Sequence, residues 1–230
     1  MTVREDIDQY IAFFRDKTAE IGRLEVLPIY RKILYLVEID TLSRAAFPSE
    51  KSHNHKKRVI QFLNECSNWR DKNRVSAVLL KYSLEKNGKC SGALFDLIKK
   101  RIDSWGCGTI IYSDQDLTFE EVQNCATPDV LKFVEENRYV KLFYRYRNFL
   151  IHEFREPPEF GMDLGTDSTK PYYLGMVAHQ SAEESSWKPV FPVKFLEVLC
   201  RNSINGLKRY LIENNQNPYE SYPEEFGTTG

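Results

Sequence analysis

From Pro28 to Ala46 the chain carries apolar side chains on nearly every side of what reads as a helix: Ile29, Tyr30, Ile33, Leu34, Leu36, Val37, Ile39, Leu42, Ala45 and Ala46. Proline suits the first helical position, where its missing N–H would have no partner, and Pro48 falls beyond the other end. A helix without a polar face is stable in water only when other elements cover it. The segment therefore predicts the centre of a helical bundle or a surface packed against a partner subunit. Glu38 and Asp40 interrupt it. A carboxylate there needs solvent, a hydrogen-bond donor or a cation, because burying it bare is strongly unfavourable.

The surrounding sequence supplies the rest of such a bundle. Ile7, Tyr10, Ile11, Phe13, Phe14, Ile21 and Leu24 form a roughly helical apolar stripe over Val3–Leu24. A third helix starts near His53-Asn54-His55-Lys56-Lys57-Arg58, a basic first turn that opposes the helix dipole. Helical patterns return at Arg74–Lys86 and Ala93–Trp105, and Trp105-Gly106-Cys107-Gly108 breaks the second of them. Thr109–Tyr112 reads as a short strand, Thr118-Phe119-Glu120-Glu121 has capping-box spacing, and Pro128-Asp129 opens another helix. After Glu156-Pro157-Pro158 the pattern changes to a Gly- and Asp-bearing loop. Two extended patches follow, Tyr172–Ala178 and Val190–Phe191, and Pro192 opens a final amphipathic helix. The expected fold is mainly α: a helical bundle over 1–155, a small β-hairpin plus C-terminal helix over 156–215 packed on the same domain, and a flexible tail over 216–230.

Charge and composition limit the functional classes. The chain of 230 residues has a formal net charge of −1, so a polyanion site must come from local clustering. No run of eighteen apolar residues occurs, which predicts no membrane span. The opening Met1-Thr2-Val3-Arg4-Glu5-Asp6 leads into no signal-type apolar stretch. The five cysteines, Cys66, Cys90, Cys107, Cys125 and Cys200, form no Cys-x-x-Cys pair and no finger spacing with His53 or His55. Reduced, buried thiols and a cytoplasmic location are the expectation. The acids Asp114, Asp116, Glu120 and Glu121 read as a loop and helix start, and His179 as structural or exposed. No site for a metal or other cofactor is expected.

One segment carries chemistry. Arg138 to His152 contains Arg138, Lys141, Arg145 and Arg147, no acid, and the aromatics Tyr139, Phe143, Tyr144, Tyr146 and Phe149. Positive charge beside flat rings suits a nucleic-acid strand, with Arg138, Lys141, Tyr144 and Tyr146 as candidate RNA contacts. The same pattern also describes a helix with an aromatic core face and a solvated basic face. Asn148 and His152 are four apart, hence on one side of a helix, with Arg147 adjacent. A histidine moves a proton near neutral pH, an arginine stabilises charge on phosphate oxygens, and an amide orients either. These are the groups needed to cleave RNA through its own 2′-hydroxyl. One histidine does not readily serve both sides of the phosphorus; two copies in a dimer do.

Arg147-Asn148 followed by His152 resembles the motif of the HEPN-domain ribonucleases, an arginine and, four to six residues on, a histidine, often with a polar residue after the arginine. The resemblance covers about residues 1–155. It implies a helical bundle that dimerises to form a composite, metal-independent endoribonuclease site, with no cofactor, with RNA as substrate and with a toxin-like or antiviral defence role. It further implies that a regulatory or antitoxin protein is a possible partner. Arg147 and His152 take the catalytic places, and Asn148 the polar place. Arg145 also fits the spacing, so the arginine is not uniquely assigned. In some family members an acid on an early helix supports the arginine, a role open here to Glu38 or Asp40. The alternative is a non-catalytic helical module that binds protein or nucleic acid.

Overall fold

A computed structural model of the chain describes residues 2–48, 55–106, 109–177 and 185–221. Among them are nine α-helices and one three-stranded antiparallel sheet. The chain divides into two compact units, Met1–Trp69 with Leu196–Gly230, and Arg70–Phe195. His53, Cys107, His179 and 222–230 lie outside the described residues.

The first unit holds helices α1 (Val3–Arg23), α2 (Pro28–Ala46), α3 (His55–Cys66) and most of α9 (Val193–Glu213). A capping box at Thr2 and Glu5 starts α1, and Pro28 stands in the first turn of α2. Ile7, Tyr10, Ile11 and Phe14 of α1 are buried, as are Tyr35, Leu36, Ile39 and Leu42 of α2. The side-chain amide of Gln216 donates to the carbonyl oxygens of Ala45 (2.6 Å) and Ala46 (3.2 Å), satisfying the last turn of α2. The expected tail thus begins as a tethered segment, with a short 3-10 turn at Pro218–Ser221. The all-round apolar character of α2 is only partly absorbed: Tyr30, Leu34 and Val37, spaced along one face, are 49, 40 and 45 % exposed.

In the second unit, α4 (Ala77–Lys86), α5 (Ala93–Asp103), α6 (Phe119–Cys125), α7 (Leu131–Glu136) and α8 (Tyr139–Glu153) accompany the sheet. The sheet is larger than the expected hairpin. Strand β1 (Ile110–Tyr112) pairs with β2 (Tyr172–Val177), which pairs with β3 (Ser185–Val190). The strand β3 begins well before the expected Val190, because its extent follows pairing with β2 and its Ser-Ser-Trp-Lys stretch has no apolar alternation to reveal it. Leu80, Leu84, Ile98, Trp105, Ile111, Val134, Tyr173 and Trp187 belong to one buried cluster. The Thr118–Glu121 capping box starts α6 as its spacing predicts. Cys66 and Cys200 are buried, but Cys90 is exposed and Cys125 half-buried, correcting the expectation of uniformly buried thiols. No described helix is long and apolar enough to cross a membrane.

Candidate active site

The basic aromatic segment forms α8, and its two ends have separate causes. At the N-terminal end, Val75 makes isolated β-bridges to Leu117 and Arg138, and the Tyr139 N–H donates to the Arg74 carbonyl at 2.9 Å. This extended contact separates α7 from α8. At the other end Phe154 takes the left-handed conformation, φ 53°, and Pro157 and Pro158 follow.

A buried carboxylate fixes the start of α8. Asp116 is fully buried, and its Oδ1 accepts the N–H groups of Ala77 (2.9 Å) and Leu117 (3.1 Å). Its Oδ2 accepts the hydroxyls of Tyr139, at 3.1 Å, and Tyr173. Burial pushes the Asp116 carboxyl up to about 6, against the lowering effect of these donors. The same burial, with Asp116 nearby, raises the Tyr139 and Tyr173 phenols well above their ordinary value. One carboxylate thereby ties together the first turn of α4, β2 and the first turn of α8. It is therefore part of the core rather than of the solvated loop its neighbours suggest.

The helical period sorts the candidate residues by face. At 3.6 residues per turn, Lys141, Arg145, Asn148 and His152 fall within an arc of about 60°. The first three are half-buried and His152 is exposed. The opposite side, Tyr139, Val140, Leu142, Phe143, Tyr146, Arg147 and Leu150, is buried. Arg147 is 8 % exposed and stands about 140° around the helix from His152. Its Nη1 donates to Asn148 Oδ1 at 3.0 Å, so the amide links the buried arginine to the outer face.

The other sequence candidates are distributed as follows. Arg145 Nε lies 3.1 Å from a Glu159 carboxylate oxygen. Arg138 donates to Glu135 (2.9 Å) and Asn73 (2.6 Å) and lies 4.9 Å from the centre of the Phe119 ring. Tyr144 is half-buried. Tyr146 is a correction: it is wholly buried, with ring centres of Phe160 and Phe191 each at 5.1 Å and its hydroxyl donating to Glu156 at 2.9 Å. It lies on the core side of α8, so its ring is not a surface on which a base can stack. Glu38 and Asp40 belong to the first unit. Glu38 is buried and accepts the Thr18 hydroxyl at 2.6 Å, and burial pushes it up to about 7. Asp40 engages His55, with Arg58 at 3.6 Å and Arg44 at 4.0 Å.

Among the described residues no three His, Cys, Asp or Glu side chains converge as a set able to hold a metal ion. Comparison with family models, with curated proteins and with solved structures finds no match to this chain. Arg145 lines a cleft with Tyr82 and Lys86 of α4 and with Trp187 and Lys188 of β3, residues that no local sequence pattern joins to it. The i,i+4 spacing of Tyr82 and Lys86 was the available local signal.

Proposed function

We propose that the chain is an endoribonuclease that acts as a homodimer and cleaves RNA through the 2′-hydroxyl without a metal. The observation that carries this reading is the outer face of α8, where a guanidinium (Arg145), an amide (Asn148) and an imidazole (His152) share one arc beside Lys141. The resemblance of Arg147-Asn148 and His152 to the HEPN motif supports it and adds the toxin-like or defence role. In the reaction His152 of one copy takes the proton of the 2′-hydroxyl as its oxygen attacks phosphorus. His152 of the second copy gives a proton to the departing 5′-oxygen, leaving a 2′,3′-cyclic phosphate. Arg145 stabilises the charge gathering on the non-bridging oxygens, while Asn148 holds the buried Arg147 of the motif. The exposed apolar face of α2 at Tyr30, Leu34 and Val37 supports association with a second copy.

The test is incubation of the purified protein with RNA, with and without chelator. Chelator-resistant cleavage with cyclic-phosphate ends, abolished in a folded His152→Ala variant, is the expected result. Cleavage persisting in that variant, or full activity in an enforced monomer, overturns it. Binding without cleavage is the second reading, favoured by the burial of Arg147, which withdraws one arginine of the motif from solvent.

A further inference from the structure

The second unit contains a cleft of about 710 Å3, formed by α4, α7, β3, the Pro158-Glu159 segment and Arg145 of α8. We propose that this cleft binds a nucleotide, its base against Tyr82 and its phosphate among Lys86, Arg145 and Lys188. The volume lies within the range of pockets that enclose small organic ligands, about 300–1,000 Å3. Its lining includes the aromatic rings of Phe133 and Trp187. Trp187 is 7 % exposed, and its position is set from β2: a side chain in place of Gly175 would begin 3.0 Å from its ring. On the rim, Tyr82 is 59 % exposed, a large ring presented to solvent at the cleft mouth. The lining also includes three cations, Lys86, Arg145 and Lys188, and one carboxylate, Glu159, which lies 3.1 Å from Arg145 Nε.

That combination suits a ligand with both a flat ring and a negative charge. Stacking on an aromatic side chain contributes about 1–3 kcal/mol per base and tolerates any base. Lys188 Nζ donates to the Pro158 carbonyl at 3.0 Å, which fixes its ammonium at the rim with two further protons to offer. Lys86 ends α4 and is exposed. Arg145 is common to the cleft and to the outer face of α8, and His152 lies about 10 Å further along that helix. A ribonucleotide seated in the cleft is thus the unit of an RNA chain next to the proposed cutting face, or a free nucleotide at the same place. The first of these sources rests on the RNA reading; the cleft chemistry does not.

The experiment uses the full chain carrying His152→Ala, so that binding is measured without cleavage. It is titrated with AMP, ATP, a six-residue oligoribonucleotide and inorganic phosphate, followed by calorimetry. Binding of a nucleotide or the oligomer more tightly than phosphate is expected. It should weaken at least fivefold with Tyr82→Ala and at least tenfold with Lys86→Glu/Lys188→Glu, with melting temperatures unchanged. Competition between ATP and the oligomer marks a site for free nucleotides; binding of the oligomer alone marks a strand subsite. Either supports the proposal. No binding of any nucleotide, or equal affinity in both variants, overturns it even if the wild-type chain cuts RNA. Binding that follows the variants in a chain that never cuts RNA overturns only the cleavage reading.

Discussion

Arg145 and His152 stand about two turns apart on the same side of α8, whereas Arg147, two residues from Arg145, is turned to the buried side. A hydrogen bond from Arg147 to Asn148 links it to the outer face. The two arginines therefore make different predictions.

Arg145→Ala is expected to reduce RNA cleavage by about a hundredfold or more, the scale seen when a charge-stabilising donor is lost. Its melting temperature should barely move, because the Glu159 pair it gives up is partly exposed and contributes about 0–1 kcal/mol. Arg147→Ala should lower the melting temperature, since it empties a buried position. Cleavage rates and melting curves on both variants decide; full activity of Arg145→Ala would move the phosphate clamp elsewhere.

Asp116→Ala removes an acceptor shared by two backbone N–H groups and two phenols, and should destabilise the chain by about 3 kcal/mol or more. Asp116→Asn keeps an oxygen for the N–H groups and should lose less. It should also alter the pH dependence. In the folded chain this carboxyl is raised from 3.8 to about 6, so the folded protein retains a proton that the unfolded chain releases. That contribution is full below about pH 4 and lost as pH rises through about 6. Denaturant unfolding at several pH values should show Asp116→Asn gaining on wild type across that window.

Glu38→Gln offers the same test in the first unit, over a different range. Burial raises Glu38 from 4.5 to about 7, so its contribution declines as pH rises through about 7. The stability of Glu38→Gln relative to wild type should increase between pH 4 and 8, by at most about 3 kcal/mol. A difference independent of pH would mean that the carboxyl titrates alike in folded and unfolded chains.

Gly206→Ala should be among the most damaging single-methyl changes in the first unit. A β-carbon there would lie 1.9 Å from the Cys66 carbonyl oxygen, backbone against backbone, so α9 would have to move away from the end of α3. Destabilisation of about 3 kcal/mol or more is expected, read as a drop in melting temperature. An unchanged melting temperature would contradict this close approach.

The start of α2 at Pro28, the capping box of α6 and the halt of α8 before Pro157-Pro158 were legible because each depends on groups within a few residues. The break between α7 and α8 was not, because the Val75 bridge and the Arg74 carbonyl that cause it lie more than sixty positions away. Asp116 looked like a loop acid for the same reason: its tyrosine partners come from distant elements. In the candidate site, composition alone brought Tyr146 and Tyr144 together as RNA contacts, and burial separated them.

By itself the sequence determined a mainly helical chain, an overall charge near neutrality, and a helix on which basic, amide and imidazole groups recur at helical spacing. These follow from period and local hydrogen bonding. Only the tertiary structure decided which side of α8 is buried, and with it that Arg147 is turned into the core while the side carrying Arg145 and His152 is left outward. It also decided that Arg145 meets α4 and β3 at a cleft. The reason is physical: the aromatic cluster around Phe160 and Phe191 covers one side of α8, and that contact joins residues that no local pattern relates.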